Sequence, residues 1–249
     1  PSHNALMLVP FASAERACSA VAEIFKSGSQ PSALEFMERS AIELAQDFTG
    51  DDSLKLLPDT AAHLLIEVDA FRFDDLMPQI ERILPVIAEC GGDDPLFADD
   101  EASKNILWRL RRAVGEAVKA KSTYKEEDTV VPRGALPQLL QSVKRIGGDF
   151  GFESVCYGHA GDGNLHVNIL KQEMPDARWE EELPLAVRAI FEEVIALGGT
   201  LSGEHGIGLV QKPYMDLAFP ERALQLQREI KNVFDPKNTL NPGKIFPEA

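Results

Sequence analysis

Residues 154–170 read SVCYGHAGDGNLHVNIL, and the fold of the second half of the chain follows from this stretch. Two apolar runs flank a glycine-rich loop, which is typical of two strands joined by a turn. Polar and apolar residues alternate along the second run. Because side chains alternate between the faces of a strand, His166 and Asn168 are predicted to share one face of a sheet. Val167 and Ile169 then point to the opposite, buried face.

Outward from this stretch, short apolar runs alternate with segments of helical periodicity along the whole chain. Further strands are predicted at 4–11, 31–37, 62–71, 93–99 and 128–132, and helices at 12–26, 38–48, 73–89, 104–121, 136–146, 179–197 and 221–233. The order contains a βαββαβ-like unit. It favours an α+β fold of ferredoxin-like type, with an antiparallel sheet, helices packed on one face and additional C-terminal helices. Glycine pairs at 147–148 and 198–199 are predicted to end two of the helices.

We expect residues 1–249 to form one domain, because no long Gly/Ser/Pro-rich linker divides them. One weak boundary is predicted between residues 91 and 100. A hydrophobic fraction of 44% in 249 residues is enough to build a sizeable core.

The net charge of −15 argues against nucleic acid as a partner, because an acidic surface repels phosphate backbones. No apolar run approaches the roughly 20 residues that span a bilayer, so no transmembrane segment is expected. The three cysteines are scattered and show no CxxC spacing, which is not a disulfide framework. This pattern fits a reducing compartment, and we expect a cytoplasmic protein.

His159 and His166 flank the glycine-rich loop, seven residues apart. If the first ends one strand and the second lies in the next, the turn brings both rings to the same side. Two imidazoles so placed suit zinc or a similar divalent metal, with a third ligand supplied from elsewhere. The alternative is a tight hairpin whose histidines are satisfied by local hydrogen bonds.

Residues 202–208 read SGEHGIG and place Glu204 and His205 between glycines. Glu204 can supply the missing oxygen ligand, and three protein ligands leave a coordination position open for a substrate. His205 points elsewhere in an extended segment and can act as a general base, since the unperturbed pKa of histidine lies near ~6.5. Taken alone, the segment could equally be a glycine-rich turn with a Glu-His pair at the surface.

Three segments together resemble signatures of the FAD-linked oxidase family: GHAGDGNLHVNIL at 158–170, SGEHGIG at 202–208 and FDPKNTLNPGKIF at 234–246. This family contains D-lactate dehydrogenases, the glycolate oxidase flavin subunit and D-2-hydroxyglutarate dehydrogenases, within the vanillyl-alcohol oxidase superfamily. The resemblance covers the whole chain and implies a C-terminal substrate or cap domain. It also implies that FAD is bound mainly by an N-terminal PCMH-type domain. We see no such domain in this chain, so it is expected in cis or in trans.

The resemblance also implies roles for single residues. Metal ligands are His159, His166 and Glu204; the base is His205; substrate contacts are Arg111 and Asn168; a cofactor contact is Asn241. Two positions depart from the D-2-hydroxyglutarate enzymes, since Gly115 replaces a threonine and Glu126 replaces a lysine. Lys125 is next door and could substitute as a substrate contact. These departures put 2-hydroxyglutarate itself in doubt as the substrate.

The predicted activity is oxidation of a D-2-hydroxy acid to the 2-oxo acid, with FAD and a divalent metal, zinc first among them, as cofactors. On this prediction the chain is incomplete and inactive alone. Two alternatives stay open, a flavin-independent metal-dependent hydrolase and a non-catalytic subunit that partners a flavoprotein. A homodimer is one assembly that the sequence allows, and the electron acceptor is not indicated.

Overall fold

The computed structural model of the chain describes residues 1–98 and 100–247. The described residues form one antiparallel sheet of seven strands in the order β4-β1-β3-β2-β6-β7-β5. The strands are β1 (His3–Phe11), β2 (Ala33–Glu38), β3 (Ala62–Ala70), β4 (Leu96–Ala98), β5 (Tyr124–Val130), β6 (Glu153–Gly158) and β7 (Asn164–Leu170). The predicted α+β class with an antiparallel sheet is confirmed.

Eight α-helices accompany the sheet in the described part of the chain. They are α1 (Ala14–Lys26), α2 (Arg39–Thr49), α3 (Leu76–Glu89), α4 (Glu101–Lys121), α5 (Leu136–Phe150), α6 (Asp176–Ala196), α7 (Met215–Ala218) and α8 (Glu221–Phe234). None of these helices combines the length and apolar character needed to cross a bilayer.

One predicted helix end is wrong. Helix α5 continues through Gly147 and Gly148 and ends at Gly151, which has a left-handed φ of +73°. A Cβ at Gly147 would lie 2.7 Å from the carbonyl oxygen of Phe152. Glycine there therefore allows the following chain to pack closely against the helix, rather than ending it.

The helices cover both faces of the sheet, where we predicted one. Helices α1, α3, α5 and α6 share one core with the sheet residues Val9, Phe36 and Val167. Helices α2 and α4 share a second core with Leu8 and Met37. Since consecutive strand residues point to opposite faces, the two cores lie on opposite sides of the sheet. Strand β1 contains an unbroken apolar run because both of its faces are buried.

The sheet continues across the weak boundary predicted between residues 91 and 100. Strand β4 pairs antiparallel with β1, with Leu6 opposite Ala98. The strand predicted at 93–99 is thus confirmed in shorter form, and its last residue lies outside the described residues. At the opposite edge of the sheet, β6, β7 and β5 carry polar side chains on the face that α2 and α4 cover elsewhere.

Candidate active site

The turn between β6 and β7 brings two predicted metal ligands together. His159 directly follows β6, and a short 3-10 turn leads to Gly163, whose φ is +77°. A Cβ at Gly163 would lie 2.0 Å from the carbonyl oxygen of Val131, so only glycine fits. The chain then returns as β7 and places the ring of His166 with its centroid 6.0 Å from that of His159.

Asp128 of β5 holds the segment that carries Glu204 and His205. Its Oδ2 accepts hydrogen bonds from the backbone N–H groups of Glu204 at 2.7 Å and His205 at 2.8 Å, and from Ser202 Oγ at 3.0 Å. Its Oδ1 accepts from Asn164 Nδ2 at 2.6 Å. Burial raises the pKa of the Asp128 carboxyl, but these hydrogen bonds outweigh it and hold the pKa below its ordinary value.

The segment also needs glycine at position 203. A Cβ on Gly203 would lie 2.6 Å from Asn164 Nδ2 and 2.8 Å from Asp128 Oδ1. The backbone N–H of Gly203 donates to the carbonyl oxygen of Asp128 at 3.0 Å. The segment thus lies directly on β5, which explains why the motif has glycine between Ser202 and Glu204.

The three predicted metal ligands lie close together in the folded chain. His159 Nε2 and His166 Nε2 are each 3.7 Å from Glu204 Oε1. The donor atoms of all three residues lie within 4.8 Å of one another. Two imidazole nitrogens and one carboxylate oxygen form a donor set that suits zinc and related divalent cations, so the residues fit the metal that the family resemblance implies.

His205 lies beside this group and faces it from the loop. Its ring centroid is 5.4 Å from that of His166. Donor atoms of His205, His166 and Glu126 also lie within 4.8 Å of one another. An exposed imidazole next to a candidate cation site is suitably placed to exchange a proton with a bound substrate.

The Nδ1 atoms of His159 and His166 face carboxylates from other strands. His159 Nδ1 lies 2.8 Å from Glu35 Oε1, and His166 Nδ1 lies 3.2 Å from Glu126 Oε1. The hydrogen bond with Glu35 raises the pKa of His159 above its ordinary value, against the opposing effect of burial. The contact with His166 lowers the pKa of Glu126.

Arg111 lies in the site, although its guanidinium already has a partner. It is buried on α4, and its Nε and Nη2 lie 2.9 Å and 2.8 Å from Glu35 Oε2. Its Cζ lies 5.0 Å from the centroid of the Tyr157 ring. Arg109, two residues earlier on α4, instead pairs with Asp51 at the exposed side of the helix.

Asn168 shares the face of His166, as predicted. It is buried, and its Nδ2 donates to the carbonyl oxygen of Val155 at 3.3 Å. Tyr157 stands opposite His166 on β6. Burial raises the pKa of Tyr157 to about 12, so its hydroxyl stays protonated at neutral pH. A Cβ at Gly115 would meet this hydroxyl at 3.3 Å, which is a physical reason for glycine at that departure from the family pattern.

Lys125 is not brought to the histidines. It precedes Glu126 on β5 and therefore points to the opposite face of the sheet, where its Nζ pairs with Glu127. The prediction that Lys125 takes the place of the family's lysine as a substrate contact is therefore wrong in this structure. The carboxylate of Glu126 occupies the site instead.

Asn241 lies in the exposed C-terminal tail, with a left-handed φ of +49°. Its Oδ1 accepts from Lys244 Nζ at 3.1 Å. The tail reaches the motif segment through the Ile245 N–H, which donates to the carbonyl oxygen of Gly208 at 2.8 Å. The tail is therefore anchored next to the segment that carries His205.

The sequence assigned no role in this site to three acidic residues that the structure places there. Glu35 interrupts an apolar strand, and Glu126 and Asp128 sit two apart on β5, which places them on one face. A polar residue at a buried strand position was the available signal in each case. Nothing in the local sequence indicated which histidine or backbone group each would meet.

Comparison with known proteins identifies the family of the chain. Residues 1–245 match the family model described as FAD linked oxidases, C-terminal domain. A D-lactate dehydrogenase of Anaerostipes hadrus is 32% identical over 243 residues, which cover 96% of this chain and 51% of that protein. The glycolate oxidase subunit GlcD of Escherichia coli is also 32% identical over 243 residues, with coverage of 97% and 48%.

Solved structures show the same fold at much lower sequence identity. A p-cresol methylhydroxylase with substrate bound superposes with a TM-score of 0.73 at 12% identity, over 99% of this chain and 53% of that one. The chain spans about half the length of the curated relatives it matches. With the family model matched from residue 1 to residue 245, the chain belongs to the FAD-linked oxidases, as their C-terminal domain.

Proposed function

We propose that this chain is the substrate- and metal-binding part of a flavin-dependent dehydrogenase that oxidises a D-2-hydroxy acid to the 2-oxo acid. Family membership supports the flavin, and the names of the relatives, D-lactate dehydrogenase and glycolate oxidase subunit, support the substrate class. The FAD-binding domain is provided in cis or in trans. It corresponds to the half of the relatives that this chain does not span.

The observation that carries the proposal is the meeting of four groups at one sheet edge. His159 and His166 direct their Nε2 atoms toward Glu204, at 3.7 Å each, and His205 stands beside them. Two short motifs separated by more than thirty residues of sequence are thereby joined in one place. Such convergence of titratable groups is what a catalytic site requires and what a structural turn does not.

A divalent cation held by His159, His166 and Glu204 would act as a Lewis acid toward a hydroxy acid, and zinc fits this donor set. FAD, when bound, supplies the acceptor for the hydride. His205 accepts the proton of the substrate hydroxyl, because its imidazole is exposed and adjacent to the ligand set. Asn168 contacts the substrate from the floor of the site.

Two further roles depend on how the structure arranges their neighbours. Arg111 can grip a substrate carboxylate only by sharing or leaving Glu35, with which it now pairs. Asn241 contacts the cofactor from the tail, which is bonded to the motif segment at Gly208. Both remain proposals that rest on the family resemblance.

Anaerobic stopped-flow reduction of the flavin tests the proposed reaction. The full-length protein is mixed with D-lactate, glycolate or D-2-hydroxyglutarate, and the loss of oxidised flavin absorbance is followed. His205→Ala is expected to slow reduction by about 10²- to 10⁴-fold, the contribution of a general base. His3→Ala is a matched control, since the exposed His3 ring makes only an edge-to-face contact with the exposed ring of Phe73. Reduction of His205→Ala at the wild-type rate would remove His205 from the chemistry.

A further inference from the structure

We infer that Glu35 and Glu126 are positioning residues, which fix the two ligand histidines with Nδ1 protonated and leave both Nε2 atoms free to bind a cation. The inference deepens the proposed metal site and rests on it. It concerns residues that neither the motif pattern nor the family resemblance assigned.

At His159 the two ring nitrogens have clearly different neighbours. Nδ1 lies 2.8 Å from Glu35 Oε1, whereas Nε2 lies 3.7 Å from Glu204 Oε1. A carboxylate that is paired with an arginine only accepts hydrogen bonds, so Nδ1 carries the hydrogen. The lone pair of the neutral ring then sits on Nε2, which faces the other two ligands.

His166 repeats the arrangement with a second carboxylate. Its Nδ1 lies 3.2 Å from Glu126 Oε1 and its Nε2 lies 3.7 Å from Glu204 Oε1. Glu126 stands opposite Asn168 on the neighbouring strand, so β5 delivers the carboxylate to the same face as the histidine. The contact is longer than that of His159 and is not well directed as a hydrogen bond. We therefore expect Glu126 to contribute less than Glu35.

Arg111 supports Glu35 in this role. Its Nε and Nη2 both bond Glu35 Oε2, which leaves Oε1 for His159. A buried carboxylate needs such compensation, because its desolvation is otherwise costly. Arg111, Glu35 and His159 thus form a chain of contacts that ends at the candidate metal site. This gives Arg111 a structural reason to be buried that does not require a substrate.

Metal ligation by histidine generally depends on such outer carboxylates, whose loss weakens metal binding by about 10- to 100-fold. The test measures Zn²⁺ affinity of the full-length protein by competition with a chromophoric chelator. Glu35→Gln is expected to weaken binding by about 10- to 100-fold, and Glu126→Gln by a smaller factor. Glu38→Gln is the matched control. Glu38 also lies on β2 and is buried, but it pairs with Lys144 rather than with a histidine, so the Zn²⁺ affinity of Glu38→Gln stays at the wild-type value.

A second measurement reads the proton position directly. Nitrogen-15 NMR of the metal-free protein, recorded at a pH where the histidine rings are neutral, is expected to show Nδ1-protonated tautomers for His159 and His166, and Glu35→Gln is expected to change that of His159. Tight Zn²⁺ binding by the wild type, with Glu35→Gln and Glu126→Gln binding equally well, overturns the positioning role alone. Absence of Zn²⁺ binding by the wild type overturns the metal part of the proposed function and this inference with it. Nε2-protonated tautomers in the wild type overturn the inference independently of the metal.

Discussion

His63 on β3 and His166 on β7 are both buried histidines on the same face of one sheet, yet of the two only His166 lies in the candidate active site. They are 3% and 5% exposed, and both have an Nδ1 without a well-directed hydrogen bond. His63 stands opposite Met37 and Pro10, and the charged group near it is Arg39. His166 meets the carboxylates of Glu126 and Glu204. The two histidines therefore share burial and a position on a strand. They differ in the side chains that the neighbouring strands and the loop bring to them.

The largest expected effect is a difference in metal binding between variants of the two histidines. His166→Ala removes one of the three proposed metal-binding side chains. We expect the Zn²⁺ affinity of the full-length protein to fall by more than about 100-fold, which is a larger loss than that expected from replacing Glu35 or Glu126. His63→Ala is expected to leave that affinity unchanged, although it opens a cavity and lowers the melting temperature. Equilibrium competition with a chelator measures both. Equal losses in the two variants would show that the difference in neighbours has no bearing on metal binding.

The two histidines should also differ in how they respond to acid. Burial, assisted by the charge of Arg39, lowers the pKa of His63 from 6.5 to about 4. The unfolded chain then binds more protons than the folded chain between these values, so stability is lost as the pH falls from about 6.5 to about 4. The loss from this group amounts to about 3 kcal/mol. Urea unfolding across that range is expected to show a shallower acid dependence for His63→Gln. An unchanged slope would mean that folding does not lower the pKa of His63.

Asp128 distinguishes the His166 region by tying a loop to the sheet. Asp128→Asn places an amide where backbone N–H groups of Glu204 and His205 now donate to a carboxylate. We expect a loss of about 2 kcal/mol in the free energy of unfolding, since hydrogen bonds to charged groups are the strong ones. Weaker Zn²⁺ binding should accompany it, because Glu204 loses its anchor.

Asp235→Asn is the matched control for Asp128→Asn. Asp235 is also buried and also accepts from two backbone N–H groups, those of Thr239 and Leu240, but it holds the tail. It should lower stability while leaving Zn²⁺ affinity as in the wild type. If Asp128→Asn behaves in the same way, the clamp is structural and does not set the position of Glu204.

The sequence was sufficient for the strands and the longer helices, though not for α7 or the end of α5, and for one face of the site. Alternation along β7 correctly placed His166 and Asn168 together, because the period of a strand is fixed by its geometry. The same rule, applied to β5, separates Lys125 from Glu126, and the substitution proposed for Lys125 failed for that reason. The partner of His159 could not be predicted, since Glu35 lies 124 residues away and reaches it only through the pairing of β2 with β6. The second helical layer was missed because an apolar run does not state which helix covers each face.

The smallest expected effect comes from replacing one hydrogen atom of Gly203 with a methyl group. Gly203→Ala puts a methyl group 2.6 Å from Asn164 Nδ2 and 2.8 Å from Asp128 Oδ1, so the loop must move away from β5. We expect a loss of about 1–2 kcal/mol in stability, at the lower end for an overpacked position, with a drop in Zn²⁺ affinity. Gly148→Ala is the control, because its Cβ meets nothing within 4 Å and it lies inside α5, where alanine is favourable by about 0.5–1 kcal/mol. Full Zn²⁺ affinity in Gly203→Ala would show that Glu204 reaches the histidines without close contact between its loop and β5.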